Sequence, residues 1–355
     1  MGSKLKFNHG LRIDVLVEKQ RFDRLDAFLG NIAQKGFDVA GVPFRVIDRL
    51  LHGNADIDYR QLAPLARHTL GGQPRLFNAI VADLGNDTTR RLGEIVDDND
   101  AHPMTRFEAV GWAVFARHRA AIPKPDDSGA PSAVADVFQF WDSATLPPEI
   151  AEGKRNWERA AKTQLWYDEP AACAYIQDGF GRDAATAFTA LWHPALKSDV
   201  FRLYRLLKDG GLYCDADSNP EFQIAEFLQS AGSRVWASST TNVPNCAAIN
   251  GFMAAPPQAP FINALLEQVL RNTRDVNDRG IFWLSGPGAM TTHLYNHLGT
   301  YDVGLISGGA LKSGLFKQFD AAYKHTPLNW RVFEHQNGLG NDTGLRQALA
   351  SIAPT

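Results

Sequence analysis

The stretch Lys197-Ser198-Asp199-Val200-Phe201-Arg202-Leu203-Tyr204-Arg205-Leu206-Leu207-Lys208-Asp209-Gly210-Gly211-Leu212-Tyr213-Cys214-Asp215-Ala216-Asp217 decides the fold class. Val200, Leu203, Leu206 and Leu207 recur at helical spacing and form an apolar stripe, with Ser198 as the expected helix cap. Gly210-Gly211 supplies the left-handed stop, a backbone region that glycine enters without a Cβ clash. Leu212-Tyr213-Cys214 is a short apolar run that reads as a buried strand, and its end delivers Asp215 and Asp217.

Rise per residue ties the two ends of this unit together. The helix from Asp199 to Asp209 climbs about 15 Å, and the strand from Gly211 to Asp215 returns roughly 13 Å. The helix start therefore lies beside the strand end. Asp199 and Arg202 are three residues apart and share a helix face, so a carboxylate and a guanidinium are carried toward Asp215 and Asp217. Two strand-end carboxylates at i and i+2 suit a hard divalent cation, Mn²⁺ or Mg²⁺, which takes carboxylate and phosphate oxygens. That chemistry points to a nucleoside diphosphate sugar: the ion neutralises the diphosphate, Asp199 accepts from sugar hydroxyls, and Arg202 offers its planar fork to sugar or phosphate oxygens. Asp-x-Asp also occurs at Asp56-Ile57-Asp58 and Asp98-Asn99-Asp100, without a preceding helix, glycine stop and strand.

Working outward, Val134 to Trp141 and Gln164 to Tyr167 read as strands, with helices at Pro148 to Ala161, near 170 to 178 and near 182 to 191. Strands alternating with helices place this part in the α/β class. Residues 20 to 121 differ. Phe22, Leu25, Phe28, Leu29 and Ile32, then Val46, Ile47, Leu50 and Leu51, then Leu76, Ile80, Val81 and Leu84 keep helical spacing, and turn residues at 53 to 54, 71 to 72 and 97 to 100 divide them into five or six short helices. The Pro-, Asp-, Ser- and Gly-rich run Ile122 to Ser132 marks the boundary, giving a helical accessory region over 1–125 and an α/β domain over 126–355.

With 45% apolar and 21% charged residues in 355, the composition is that of a globular chain. A net charge of -3 without a basic run excludes a phosphate track, so no nucleic-acid partner is expected. Cys173, Cys214 and Cys246 have neither zinc-site spacing nor disulfide density, which fits reduced thiols. No apolar run reaches the length of a membrane span and the first residues carry no signal pattern. A cytoplasmic location is expected, or export as an effector without a cleavable leader.

The pattern Ser198-Asp199-x-x-Arg202 followed by Gly210-Gly211-x-Tyr213-x-Asp215-x-Asp217 resembles the sugar-binding region of the yeast-type α-mannosyltransferase and capsular-polysaccharide transferase family. It is also similar to the glucosylating domains of large clostridial toxins. The resemblance spans roughly 134 to 332 and implies a GT-A fold, a Rossmann-like mixed sheet flanked by helices, and a retaining, metal-dependent hexosyltransferase. It implies that Asp199 and Arg202 bind the donor sugar and that Ser198 and Tyr213 lie along the nucleotide sugar. Asp215 and Asp217 would serve ribose, diphosphate and metal. Phe140 and Trp141, ending a run before Leu146-Pro147-Pro148, resemble the family's first strand, whose tryptophan stacks on the nucleobase. Asn250-Gly251-Phe252-Met253 with Pro260-Phe261, and Ser285-Gly286-Pro287-Gly288 with Thr291, resemble later elements.

His325-Thr326-Pro327-Leu328-Asn329-Trp330 resembles a terminal element closing over diphosphate and metal. It adds His325 and Asn329 to the implied metal ligands and Trp330 to the substrate contacts, with Asn329 where serine is usual. The Gly-rich run Gly304 to Gly314 reads either as a lid over the donor or as an ordinary exposed loop. The donor implied is a UDP-sugar before a GDP-sugar, and the acceptor a hydroxyl of a saccharide, as in polysaccharide biosynthesis, or of a protein. Two other readings stand beside this one. Phosphohydrolases with an aspartate nucleophile also place Asp-x-Asp after an apolar strand, but they leave Asp199 and Arg202 without a task. A transferase-like interaction protein without activity is the non-enzymatic alternative.

Overall fold

A computed structural model describes residues 7–52, 57–69, 73–124, 134, 136–240, 245–274, 279–339 and 341–352. The chain divides into two units: residues 1–117 with 240–247 and 353–355, and residues 118–239 with 248–352.

The second unit is organised by a sheet of six strands in the order β2-β1-β3-β6-β5-β7. They are β1 (Val137–Phe140), β2 (Gln164–Tyr167), β3 (Gly211–Cys214), β5 (Val235–Ser239), β6 (Ala248–Ala255) and β7 (Val303–Ile306). β1 runs parallel to β2 and to β3, and β5 runs parallel to β7, while β6 is antiparallel to both β3 and β5. A second ribbon pairs β4 (Ser218–Pro220) with β8 (Phe316–Gln318), antiparallel. The α/β class, with a mixed sheet flanked by helices, is thus the observed architecture. β1, β3, β5 and β7 are buried at every position, as strands covered on both faces must be.

Connectivity fixes where a ligand belongs. From β1 the chain passes through helix Pro148–Ala160 to β2 on one side, then returns through three helices to β3 on the other side. Strand order therefore reverses between β1 and β3. In open α/β sheets the crevice beyond the carboxyl ends of such strands is where ligands bind. Trp141 follows β1 at that end, and Asp215 follows β3.

The returning helix runs Pro194–Asp209, starting one turn before the expected Ser198 cap. Pro194 occupies its first turn, where a missing N–H costs nothing, and His193 Nδ1 accepts the Ala195 N–H at 3.0 Å as the actual cap. Ser198 is thereby freed for other contacts. Val200, Leu203 and Leu206 are buried as their stripe demands, and so are Asp199, Arg202 and Arg205. Gly210 ends the helix at φ 70°, ψ -153°, a conformation open essentially to glycine. A Cβ there would stand 2.7 Å from the Ala255 carbonyl oxygen.

The run from Gly304 to Gly314 is neither a lid nor an exposed loop. Gly304 lies within buried β7, Ser307 Oγ caps the turn Gly308–Ala310, and Leu311, Gly314 and Leu315 are buried in the helical turn Leu311–Leu315. Glycine is needed at 304 because a Cβ would strike the Trp236 ring.

The first unit is helical: Phe7–Glu18, Phe22–Gln34, Val42–His52, the 3₁₀ segment Tyr59–His68, Gln73–Asn86, Arg90–Val96 and Pro103–His118. Leu25, Leu29, Ile47, Leu62, Leu65, Leu76, Phe77 and Ile80 are buried. Asp83 is buried and accepts the Leu92 N–H at 2.9 Å and the Arg91 N–H at 3.2 Å, a negative charge at the start of Arg90–Val96. The turn residues at 53 to 54 and 71 to 72, and most of the boundary run Ile122 to Ser132, lie outside the described residues. Among the described residues no helix is long and apolar enough to cross a membrane, and none of Cys173, Cys214 and Cys246 is in a disulfide.

Candidate active site

Arg202 is the hub of the site. Its Nη2 meets Asp199 Oδ1 at 2.9 Å and Asp215 Oδ1 at 3.5 Å, and donates to Ser198 Oγ at 2.9 Å. Nη1 donates to the Asn250 carbonyl, Nε donates to the Ser198 carbonyl at 3.2 Å, and the guanidinium carbon lies 4.1 Å from the Tyr213 ring centroid. At 5% side-chain exposure its charge is tolerable only because each of its three nitrogens has a partner. Helix spacing supplies Ser198 and Asp199, and the antiparallel pairing of β3 with β6 supplies Asn250. The Asp215 N–H donates to the Gly251 carbonyl at 3.0 Å, and a Cβ on Gly251 would collide with Asp215 Oδ2.

Asp199 also accepts from Asn250 Nδ2 at 2.9 Å on Oδ1, the oxygen facing Arg202, and from Ser285 Oγ at 2.7 Å on Oδ2. Burial pushes its carboxyl above the ordinary value, and Arg202, Ser285 and Asn250 pull it back. The Tyr213 hydroxyl bridges Ser198 Oγ at 2.8 Å and Asp215 Oδ1 at 3.0 Å. Burial holds this phenol well above its ordinary value, so it keeps its proton and donates to the carboxylate. Asp215 is more open than Asp199 or Arg202, 28% exposed at its side chain. Burial pushes its carboxyl up to about 6 against the pull of Arg202, with Asp217 and Asp199 adding to the rise.

Asp217 faces a different set of groups. Its Oδ2 receives the Tyr323 hydroxyl at 3.0 Å and the Lys324 ammonium at 2.5 Å, and its carbonyl accepts the Phe319 N–H at 2.9 Å. The β4–β8 ribbon carries these residues there. Gln318 at its end donates from Nε2 to Asp215 Oδ2 at 3.0 Å. Trp141 meets Tyr323 edge to face at 5.1 Å between centroids, which leaves it beside this group.

The structure thus brings Ser198, Asp199, Arg202, Tyr213 and Asp215 into one bonded network, with Asp217 alongside and Trp141 next to its partner Tyr323. Other positions singled out from the sequence go elsewhere. Phe140 is 4% exposed and packs on Phe201 and Phe188, because strand alternation turns it from its neighbour's side into the core. Trp330 packs against Leu196, Ile281 and Leu284 and stacks on Phe282. Asn329 is a helix cap: its side-chain oxygen accepts the Arg331 N–H at 3.0 Å and its Nδ2 donates to the Lys324 carbonyl at 2.8 Å. His325 is 73% exposed and pairs with Asp320 at 3.5 Å. Neither Asn329 nor His325 touches Asp215 or Asp217.

Among the described residues no group of three or more His, Cys, Asp or Glu side chains is gathered as a metal cage. Asp215 and Asp217 offer two carboxylates of hard oxygen character. That set fits Mg²⁺ or Mn²⁺ completing its shell with phosphate oxygens and water.

Several members were invisible in the motif. Gln139, fully buried in β1, donates to the Asp215 carbonyl at 3.2 Å and accepts from Gln164 at 3.1 Å, pinning the spot where β1 and β3 part. A glutamine flanked by phenylalanines in a buried strand is the one local signal for it. Asn250 and Ser285 lay in stretches noted only for their resemblance, and for Gln318, Tyr323 and Lys324 the sequence carried no signal.

Residues 154–234 match the family of glycosyltransferase sugar-binding regions containing the DXD motif. The matched stretch includes Asp199, Arg202, Asp215 and Asp217. The matched stretch is a glycosyltransferase-type sugar-binding region with its Asp-x-Asp pair, carried here on the mixed sheet. No curated protein matches the chain. Among solved structures the PaToxG glycosyltransferase is similar, with a TM-score of 0.34 and 14% identity over 74% of this chain and 87% of that one.

Proposed function

We propose that this chain is a retaining hexosyltransferase of the yeast-type mannosyltransferase and capsular-polysaccharide line. It moves a sugar from a nucleoside diphosphate sugar, UDP-linked rather than GDP-linked, to a hydroxyl of a saccharide or protein. The observation that carries this reading is the buried Arg202 bridging Asp199 and Asp215 at the carboxyl end of β3, beside the reversal of strand order.

Arg202 acts through position. Its donors are committed to the protein, so it fixes Asp215 and keeps a permanent positive charge behind the site where the leaving diphosphate develops negative charge. Preorganised charge of this kind is the main source of rate enhancement in such sites. Asp215 and Asp217 would hold the divalent cation, which when bound supplies Lewis-acid stabilisation of the diphosphate. Trp141 offers the ring for the base. The acceptor oxygen bonds to the anomeric carbon as the bond to the phosphate oxygen breaks. The diphosphate leaves with the electron pair and takes the acceptor proton, so no separate protein base is required. We assign the region 1–125 to acceptor or partner recognition.

A hydrolysis screen of UDP- and GDP-sugars with and without Mn²⁺ tests this. Release of UDP from one UDP-hexose only with the cation present is the expected result. Cleavage of simple phosphomonoesters without sugar-nucleotide turnover would establish a phosphohydrolase instead, and no binding of UDP, GDP or Mn²⁺ would leave an inactive interaction protein.

A further inference from the structure

Five charged side chains stand together at the end of β3: the carboxylates of Asp199, Asp215 and Asp217, and the cations of Arg202 and Lys324. The two cations differ in kind. Arg202, 5% exposed and bonded through all its nitrogens, is built in. Lys324 is 24% exposed and reaches Asp217 on a flexible stem, its ammonium shared between Asp217 Oδ2 and the Phe319 carbonyl. Its backbone is nonetheless fixed. The Lys324 N–H donates to the Ala321 carbonyl at 3.0 Å, and its own carbonyl accepts from Asn329 Nδ2 at 2.8 Å.

An ammonium and a divalent cation cannot comfortably share one carboxylate, since like charges at contact distance repel by several kcal/mol even in a partly screened site. A cation that engages both Asp215 and Asp217 must therefore contend with Lys324. Two positive charges already face three negative ones, so a dication alone leaves the cluster positive. A diphosphate arriving with it restores the balance and gives the displaced ammonium a new anionic partner within the reach of its stem.

We propose that Lys324 is a resident counter-cation of the Asp-x-Asp pair, holding Asp217 until a divalent cation arrives together with a diphosphate. This rests on the reading of Asp215 and Asp217 as the cation-holding pair. The donor-free protein then binds a divalent cation weakly, and cation and nucleoside diphosphate promote each other's binding.

Calorimetric titration of Mn²⁺ into the nucleotide-free wild type, Lys324→Met, Lys324→Gln and Lys324→Arg, repeated with UDP present, tests it. Lys324→Met and Lys324→Gln should each bind Mn²⁺ about tenfold tighter than the wild type, the worth of one charge-assisted contact. Lys324→Arg should match the wild type. The gain in Mn²⁺ affinity on adding UDP should shrink in both uncharged variants. Wild-type-like or weaker Mn²⁺ affinity in whichever uncharged variant keeps a native circular dichroism spectrum would overturn the proposal. If UDP binding persists in that case, only this inference falls. If the wild type binds neither UDP nor Mn²⁺, the proposed function falls with it.

Discussion

The unit Pro194–Asp217 and the segment Phe316–Trp330 both reach the carboxylates at the end of β3, by different physics. In the first, a helix period, a glycine stop and a strand rise fix Asp199, Arg202 and Asp215 within one short piece of chain, and burial locks them. In the second, single contacts made about a hundred residues later do the holding: Gln318 to Asp215, Tyr323 and Lys324 to Asp217, Asn329 to Lys324. The first is a rigid frame. The second is half exposed and tied by side chains, the construction of a part that can exchange partners when a ligand arrives.

The comparison breaks most visibly at Arg202. Arg202→Ala leaves Asp199 buried beside Asp215 without their cation, so stability should fall by about 3–5 kcal/mol and turnover by at least about 10³. Urea unfolding and donor hydrolysis read the two effects. A stability loss below about 1 kcal/mol would mean the frame is not held as described. Asp217→Ala sharpens the contrast. It removes a side chain held by the second segment, so turnover should drop by roughly 10² to 10³ while the thermal midpoint moves far less than in Arg202→Ala. Equal losses of stability in the two variants would erase the distinction between frame and clasp.

The smallest effect lies where the two regions meet. His193 caps the frame helix through Nδ1, and its Nε2–H donates to the Pro327 carbonyl at 3.3 Å. The cap needs Nδ1 unprotonated, whereas the bond to Pro327 survives protonation of the ring. Burial lowers this histidine below its ordinary value of 6.5. A depressed pKa contributes stability that is full above the ordinary value and is lost as pH falls through the folded value. The wild type should therefore lose on the order of 1 kcal/mol, about one hydrogen bond, on acidification below pH 6.5. His193→Asn, which keeps a capping group, should flatten that loss in urea titrations run on both sides of that pH.

What the sequence made legible follows the same division. The helix, the Gly-Gly stop, β3, and the strand at Gln164–Tyr167 all rest on interactions a few residues apart, and periodicity exposes those. The start of the helix was misread because Ser198 looked like a cap while Pro194, after His193, had already set the first turn. The Gly304 to Gly314 run was misread because glycine there answers crowding by Trp236 and not a need for mobility. Asn250 reaches Asp199 through the antiparallel β3–β6 pairing, and Lys324 reaches Asp217 through the β4–β8 ribbon. Neither pairing leaves a mark in local spacing. Asn329 and His325 occupied the right stretch, yet helix capping and exposure took them away from the carboxylates.

Anomalous diffraction from a crystal soaked with Mn²⁺ and UDP tests the central claim most directly. The account predicts one strong peak within coordinating distance of both Asp215 and Asp217, with the diphosphate on its far side and the Lys324 ammonium moved off Asp217. Nucleotide bound with its phosphates away from the end of β3, or a manganese peak remote from both carboxylates, would contradict it.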